Sequence, residues 1–217
     1  MTPRSSGFNI PWPKGDHREL TMEARQQRLD EARATRPNGP LWVFAFGSLM
    51  WNPGFDYDKS DVAVLSGWER KFHIWTTVAR GTPERPGLGL CLERGPGDCK
   101  GLVYQLRPEN DDKDWQALWY REMTSGVYQA VWLDVETEKS GPVTALTFVV
   151  DPIHRQYVGP LPAEIMAEII AGASGRYGLC RDYLAGTVEE MAKLGVFDLH
   201  LNQLLELVDG RRALSRS

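Results

Sequence analysis

Seven short apolar runs crowd into residues 41–150, and only one helical pattern interrupts them. They are 41–46 (LWVFAF), 61–66 (DVAVLS), 70–78 (RKFHIWTTV), 88–93 (LGLCLE), 101–106 (GLVYQL), 127–135 (VYQAVWLDV) and 143–150 (VTALTFVV). Their aromatic and β-branched content, with turn residues between them, reads as strands. The helical pattern lies at 110–123, and helices return only after Pro162, at about 163–173, 178–194 and 198–209. Strands first and helices last do not fit regular β-α-β alternation. The expected class is therefore α+β, a small, strongly curved sheet or barrel with a helical C-terminal part. No internal repeat is visible.

With 217 residues, 42% hydrophobic content and eight tryptophans, one sizeable core can form. Residues 1–15 contain three prolines and no periodic pattern, so they read as an irregular arm. Asp16 to Arg36 is rich in helix formers, and Pro37-Asn38-Gly39-Pro40 stops the run. Its apolar positions, Leu20, Met22 and Leu29, are sparse, which predicts a helix that packs lightly or against a partner. The organisation expected is a polar arm with one helix over 1–40 and a main domain over 41–210. Residues 1–36 are expected to be dispensable for chemistry.

The net charge is −4, made of +2 over residues 1–40 and −6 over the rest. That balance argues against a nucleic-acid binder, which needs a basic excess. Cys91, Cys99 and Cys180 are odd in number and show no C-x-x-C spacing, which suits a reducing compartment, the cytoplasm, better than a disulfide framework. No apolar run approaches the ~18 residues of a membrane span, and no leader-like apolar run opens the chain. Gly-rich dinucleotide and phosphate motifs are missing, as are H-E-x-x-H and G-x-S-x-G. No metal or cofactor is expected.

One position breaks the helical pattern. In NDDKDWQALWYREM, the apolar stripe runs Trp115, Leu118, Trp119 at i, i+3 and i+4, and its i+7 member is Glu122. A carboxylate thus sits on the core face, at the helix end where the macrodipole disfavours negative charge. Positions 118, 119, 125 and 126 carry no cation, and Arg121, being adjacent, is expected to point elsewhere. Burial and dipole together would raise the carboxyl pKa, as in a general acid/base. The bland alternative is a frayed helix end with Glu122 in water.

A second feature is Phe46-Gly47-Ser48-Leu49, where a buried strand runs straight into Gly-Ser. Glycine lets a ligand approach the backbone, and successive amides can form an anion nest. A plain strand-end turn is the competing reading. Ser48 as a nucleophile lacks both a nucleophile-elbow pattern and a histidine partner.

Together VFAFGSLMW (43–51), ARGTPERPG (79–87), YREMTSGVY (120–128) and YVGPLP (157–162) resemble the ChaC family of glutathione-specific γ-glutamylcyclotransferases. The resemblance covers roughly Leu41 to Leu194 and leaves out the first 40 residues. It implies a small mixed β-barrel flanked by helices, and makes 41–210 a γ-glutamylcyclotransferase-like catalytic domain. It implies that the loop Ala45, Phe46, Gly47, Ser48, Leu49 and Met50 holds the γ-glutamyl group, and that Glu122 is the acid/base. Tyr157 resembles a tyrosine lining the glutamyl pocket, and Tyr128 a looser counterpart; both could equally be core tyrosines with satisfied hydroxyls. The family usually has Tyr before G-S-L, whereas this chain has Phe46, so one hydroxyl is lost.

The implied reaction is intramolecular: the glutamyl α-amine attacks its own γ-carbonyl, forming 5-oxoproline and releasing Cys-Gly. Arg80 and Arg85 are candidates to meet the glycine carboxylate. The rival readings are a cyclotransferase for another γ-glutamyl amine or peptide, and a non-catalytic regulator in line with the family's older association with cation transport. The only partner implied is a small-molecule substrate.

Overall fold

The computed structural model describes residues 19–214. Five strands close into a barrel: β1 (Trp42–Ala45), β2 (Tyr57–Thr76), β3 (Gly87–Leu106), β4 (Tyr128–Thr137) and β5 (Val143–Val150), in the order β1-β3-β2-β4-β5. The pairings β1–β3, β2–β3, β2–β4 and β4–β5 are antiparallel, and a parallel contact between Val43 and Leu146 joins β1 to β5. This is the mixed barrel of an α+β fold. Helices α1 (Met22–Ala34), α2 (Asp111–Glu122), α3 (Ala163–Gly172), α4 (Cys180–Lys193) and α5 (Leu199–Leu214) flank it. A two-stranded ribbon, β6 (Ser174–Gly175) with β7 (Gly178–Leu179), separates α3 from α4.

Four of the expected strands merge into two. The runs 61–66 and 70–78 belong to the single 20-residue β2, and 88–93 and 101–106 to the equally long β3. The glycines that read as turns are bulges instead. Gly67 takes a positive φ of 77°, and the β2–β3 register shifts between Ser66 and Trp68. Opposite, Gly95 lies against the Glu69 side chain, within the stretch 95–97 that faces Gly67 across the shifted register. A long ribbon can bend at such points and still keep its ladder, which a small barrel requires.

The buried stripe of α2 is as the periodicity implies: Trp115, Leu118 and Trp119 are each at most 2% exposed. Trp115 stacks edge-on to Trp132 of β4, and Trp119 to Phe148 of β5, so the helix is wedged against the barrel wall. Its first turn carries acidic residues, which complement the helix dipole.

α1 packs more firmly than its sparse apolar residues imply. Thr21 caps it by accepting from the Ala24 amide at 3.1 Å, and Leu29 and Ala32 are buried. Two indole N–H groups donate to its carbonyls, Trp119 to Arg25 at 2.9 Å and Trp132 to Ala32 at 3.2 Å. The Arg33 guanidinium lies over the Trp115 ring, and the Leu20 amide donates to the Thr124 carbonyl at 2.8 Å. Apolar periodicity registers none of these contacts, because they use backbone carbonyls and a cationic side chain. The earlier part of the arm, before Glu19, lies outside the described residues.

Replacing Leu29 by Ala should therefore cost about 2–5 kcal/mol in urea unfolding. Met22→Ala, at an exposed position of the same helix, should stay within about 0.5 kcal/mol. Equal, negligible losses at both sites would show that α1 contributes nothing to the fold.

Candidate active site

The apolar strand β1, buried throughout, delivers the chain to a tight turn. Ser48–Met50 form a single 3₁₀ turn, closed by Met50 N–H to Gly47 O at 2.8 Å and Asn52 N–H to Ser48 O at 2.9 Å. Two side chains hold this turn from outside. The Tyr104 hydroxyl donates to the Met50 carbonyl at 2.6 Å. The guanidinium of Arg70, 3% exposed, donates to the Phe46 carbonyl and, at 2.7 Å, to that of Lys100. It also pairs with Asp198 at 2.9 Å, so this buried cation has the partner its burial demands. Among the described residues, the amides of Gly47, Ser48 and Leu49 have no backbone acceptor. They are the leading N–H groups of a helical turn, which carry no intrahelical bond. A Cβ on Gly47 would come within 2.9 Å of Leu90 Cδ2, so glycine there permits the close approach of β3.

Glu122 ends α2 and faces this turn. Both line a small cavity of about 40 Å³, together with Phe46, Leu90, Tyr128, Phe148 and Tyr183. The side chain of Glu122 keeps 17% accessibility. Burial pushes its carboxyl above the usual carboxylate range, and Arg121 opposes that shift. The frayed-end alternative does not describe this geometry.

Arg121 itself departs from expectation. Its Nε lies 3.2 Å from Glu122 Oε1, although neighbouring positions on a helix diverge. The long side chain curls back because its other nitrogens are held elsewhere, one donating to Ser48 Oγ at 2.6 Å and one to the Asn52 carbonyl. Glu122 is therefore a part-buried carboxylate with a cation beside it.

The other expected site residues divide into two groups. Phe46, Gly47, Ser48, Leu49 and Tyr128 line the cavity with Glu122. The Tyr128 hydroxyl donates to the Leu90 carbonyl at 2.6 Å; burial, then the nearby Glu122, holds its pKa well above the ordinary phenol value. Ala45, Met50, Tyr157 and Arg80 are not among the lining residues. Ala45 is buried within β1, and the Met50 carbonyl is taken by Tyr104. Tyr157 donates to Glu93 Oε2 at 2.9 Å, and Glu93 in turn meets His73 Nδ1 at 3.1 Å. The segment 151–158 runs along the end of β2, with Val158 N–H bonded to the His73 carbonyl, and this carries the ring toward Glu93. Arg80 donates to the carbonyls of Tyr177 and Leu179 and lies over the Tyr183 ring at 5.3 Å. Arg85 rests against Gly172.

Sequence reasoning missed three cavity residues, the apolar Leu90 and Phe148 and the polar Tyr183. Tyr183 stands on the buried stripe of α4, three residues after Cys180 and four before Thr187. A polar aromatic in that periodic series was the available signal. Its ring is held between Arg80 and Phe72, and burial, then Glu122, raises its pKa. Tyr128 and Tyr183 thus stay protonated across the neutral range.

Comparison with known proteins identifies the family. A model of the ChaC-like protein family matches residues 41–211. The glutathione-specific gamma-glutamylcyclotransferase of Escherichia coli (strain K12) is 39% identical over 186 residues, 85% of this chain and 80% of that protein. Gamma-glutamylcyclotransferase 2-3 of Arabidopsis thaliana is 37% identical, over 82% of this chain and 92% of its own length. Glutathione-specific gamma-glutamylcyclotransferase 1 of Homo sapiens is 32% identical, over 87% and 88%. The crystal structure of the yeast glutathione-specific γ-glutamyl cyclotransferase has a TM-score of 0.71 against this fold, at 23% identity, covering 81% of this chain and 98% of that one. The family model spans the barrel and the C-terminal helices, and relatives of 32–39% identity cover most of the chain; the protein belongs to the ChaC-like family.

Proposed function

We propose that this chain is a γ-glutamylcyclotransferase that cleaves glutathione into 5-oxoproline and Cys-Gly, with Glu122 moving the protons. One observation carries the reading: Glu122 shares a small cavity with the turn at Gly47, Ser48 and Leu49, whose amides have no backbone acceptor among the described residues. The names of the Escherichia coli and human relatives supply the substrate. Three buried thiols suit the reducing cytoplasm, and no described helix is long and apolar enough to cross a membrane.

The reaction needs little from the protein. The substrate α-amine attacks its own γ-carbonyl, so a new C–N bond closes a five-membered ring while the C–N bond to cysteine breaks. Ring closure supplies the proximity advantage, worth about 7–11 kcal/mol in good geometry. At neutral pH the α-amino group arrives as an ammonium and must lose a proton before it attacks. Glu122 accepts that proton and returns one to the departing cysteine nitrogen; the second proton, shed as the attacking nitrogen becomes a lactam N–H, ends on the released cysteine amine as its ammonium, so no net proton is consumed. A carboxyl with a raised pKa is suited to both halves. The amides of Gly47, Ser48 and Leu49, without a backbone acceptor among the described residues, serve to bind the developing oxyanion or the α-carboxylate. Tyr128 and Tyr183, kept as phenols, offer further polar contacts on the same cavity wall.

A cyclotransferase acting on another γ-glutamyl compound is the second reading, favoured by the Arabidopsis relative, whose name specifies no peptide. A non-catalytic regulator lacks a comparable observation, since the cavity gathers an acid/base, amide donors and two phenols.

Glutathione incubated with the purified protein and EDTA should yield 5-oxoproline and Cys-Gly by mass spectrometry. Intact glutathione, with turnover of a different γ-glutamyl compound, would transfer the assignment to the second reading.

Glu122→Gln keeps the side-chain volume but cannot exchange protons. Turnover should fall by about 10²–10⁴ while glutathione still binds. The effect on stability has a definite sign. Burial raises the folded-state pKa of Glu122, so its protonated form favours folding at low pH, and that contribution fades as pH rises through the folded pKa. Below the ordinary carboxyl value of 4.5 the variant and parent should melt alike, and at higher pH the variant should gain in relative Tm. A stable variant with activity within about threefold of the parent would remove Glu122 from the mechanism.

A further inference from the structure

We propose that Arg121 is the positioning residue of this site: its guanidinium fixes the direction of the Glu122 carboxylate and ties it to the turn that receives the glutamyl group. This deepens the acid/base reading of Glu122 and rests on it. The geometry is a three-way fork. Nε meets Glu122 Oε1 at 3.2 Å, Nη2 donates to Ser48 Oγ at 2.6 Å, and Nη1 donates to the Asn52 carbonyl. Glu122, at the end of α2, and Ser48, at the mouth of β1, are far apart in the chain, yet one planar side chain joins them. Since both residues line the same cavity, the fork sets the distance between the proton carrier and the amide donors.

The position is demanding for three reasons. A carboxylate at a helix C-terminus is repelled by the dipole, and α2 ends at Glu122. Residue 123 is followed by Thr-Ser-Gly, so little helix beyond holds the backbone of Glu122 in place. Proton transfer requires the carboxylate within hydrogen-bond reach of the substrate amine, and small misplacements are costly. A guanidinium answers all three, because its nitrogens are rigidly coplanar and can bond several oxygens at once.

Arg121 also bears on protonation. The titratable groups facing Glu122 are Tyr128 from β4, Tyr183 from α4 and Arg121 itself, with Arg80 one layer out over the Tyr183 ring. Both phenols are neutral, so among these groups Arg121 is the adjacent charge that favours the carboxylate form. Burial pulls the other way. Without the cation the carboxyl would hold its proton to higher pH, and less of the enzyme would be in the base form at neutrality.

The test is the pH dependence of kcat with glutathione for Arg121→Met, Arg121→Lys and Glu122→Gln, each checked for a cooperative melt. Arg121→Met should lose about 10²-fold in kcat, with KM changed far less, and the acid limb of its kcat profile should move to higher pH. Arg121→Lys retains a cation but no fork, so its acid limb should return toward the parent while kcat stays at least about tenfold down. A folded Arg121→Met whose acid limb has not moved overturns the proposal, whatever its kcat. If the Met variant fails to fold, the Lys variant decides: parental kcat overturns the proposal, and depressed kcat with a parental acid limb supports it. Glu122→Gln separates the two layers of argument. Activity in that variant defeats the acid/base reading itself, whereas an inactive Glu122→Gln beside an unshifted Arg121→Met defeats this inference alone.

Discussion

A five-stranded sheet this small leaves two unpaired edges unless it closes, and exposed edges invite pairing with other chains. Closure here depends on β1, only four residues long, which pairs with β3 on one side and touches β5 in parallel on the other. The long β2–β3 ribbon wraps far enough to bring these edges together. Because β1 is the closing strand, its C-terminal end emerges where β3, β4 and β5 converge. The turn at Gly47 therefore opens among Leu90, Tyr128 and Phe148, and the site lies at the seam of the barrel.

Two ion pairs flank that seam, one around the buried Arg70 and one around the part-exposed Arg121. Arg70 and Asp198 connect β2 to the start of α5 and fix the Phe46 carbonyl, while Arg121 and Glu122 connect α2 to the turn itself. Removing Asp198 would leave the buried Arg70 charge without its carboxylate, which costs more than the pair is worth as a contact. The pairs differ in balance. Arg70 has a carboxylate and two carbonyls within its reach, whereas Glu122 retains a raised pKa despite its neighbour. That residual imbalance suits the acid/base role proposed for Glu122, since a fully compensated carboxylate would simply remain ionised.

Some of this was legible before any coordinates. The stripe Trp115, Leu118, Trp119 placed Glu122 on a core face, since helical geometry converts spacing into direction without knowledge of the partner surface. The run 143–150 is β5 to the residue, because an uninterrupted apolar segment leaves little choice of where a strand starts and stops. Elsewhere the local signals misled. Glycines at 67 and 95 read as chain breaks but serve as bulges, a distinction that exists only once a partner strand lies alongside. The light packing expected of α1 came from counting apolar residues, and indole N–H groups from α2 and β4 were outside that count.

The residues of the site follow the same division. Sequence by itself determined the class of fold, the turn at Gly47-Ser48 and the carboxylate on the inner face of α2, because each is a property of neighbours in the chain. Only the tertiary structure decided that Arg121 would turn back onto Glu122, that Tyr183 would join the cavity, and that Tyr157 and Arg80 would be engaged elsewhere. Such outcomes depend on acceptors supplied by remote segments, Ser48 and Asn52 for Arg121, Glu93 for Tyr157, and the carbonyls of Tyr177 and Leu179 for Arg80. A long polar side chain goes where its hydrogen bonds can be satisfied, and that is settled when the chain has folded around it.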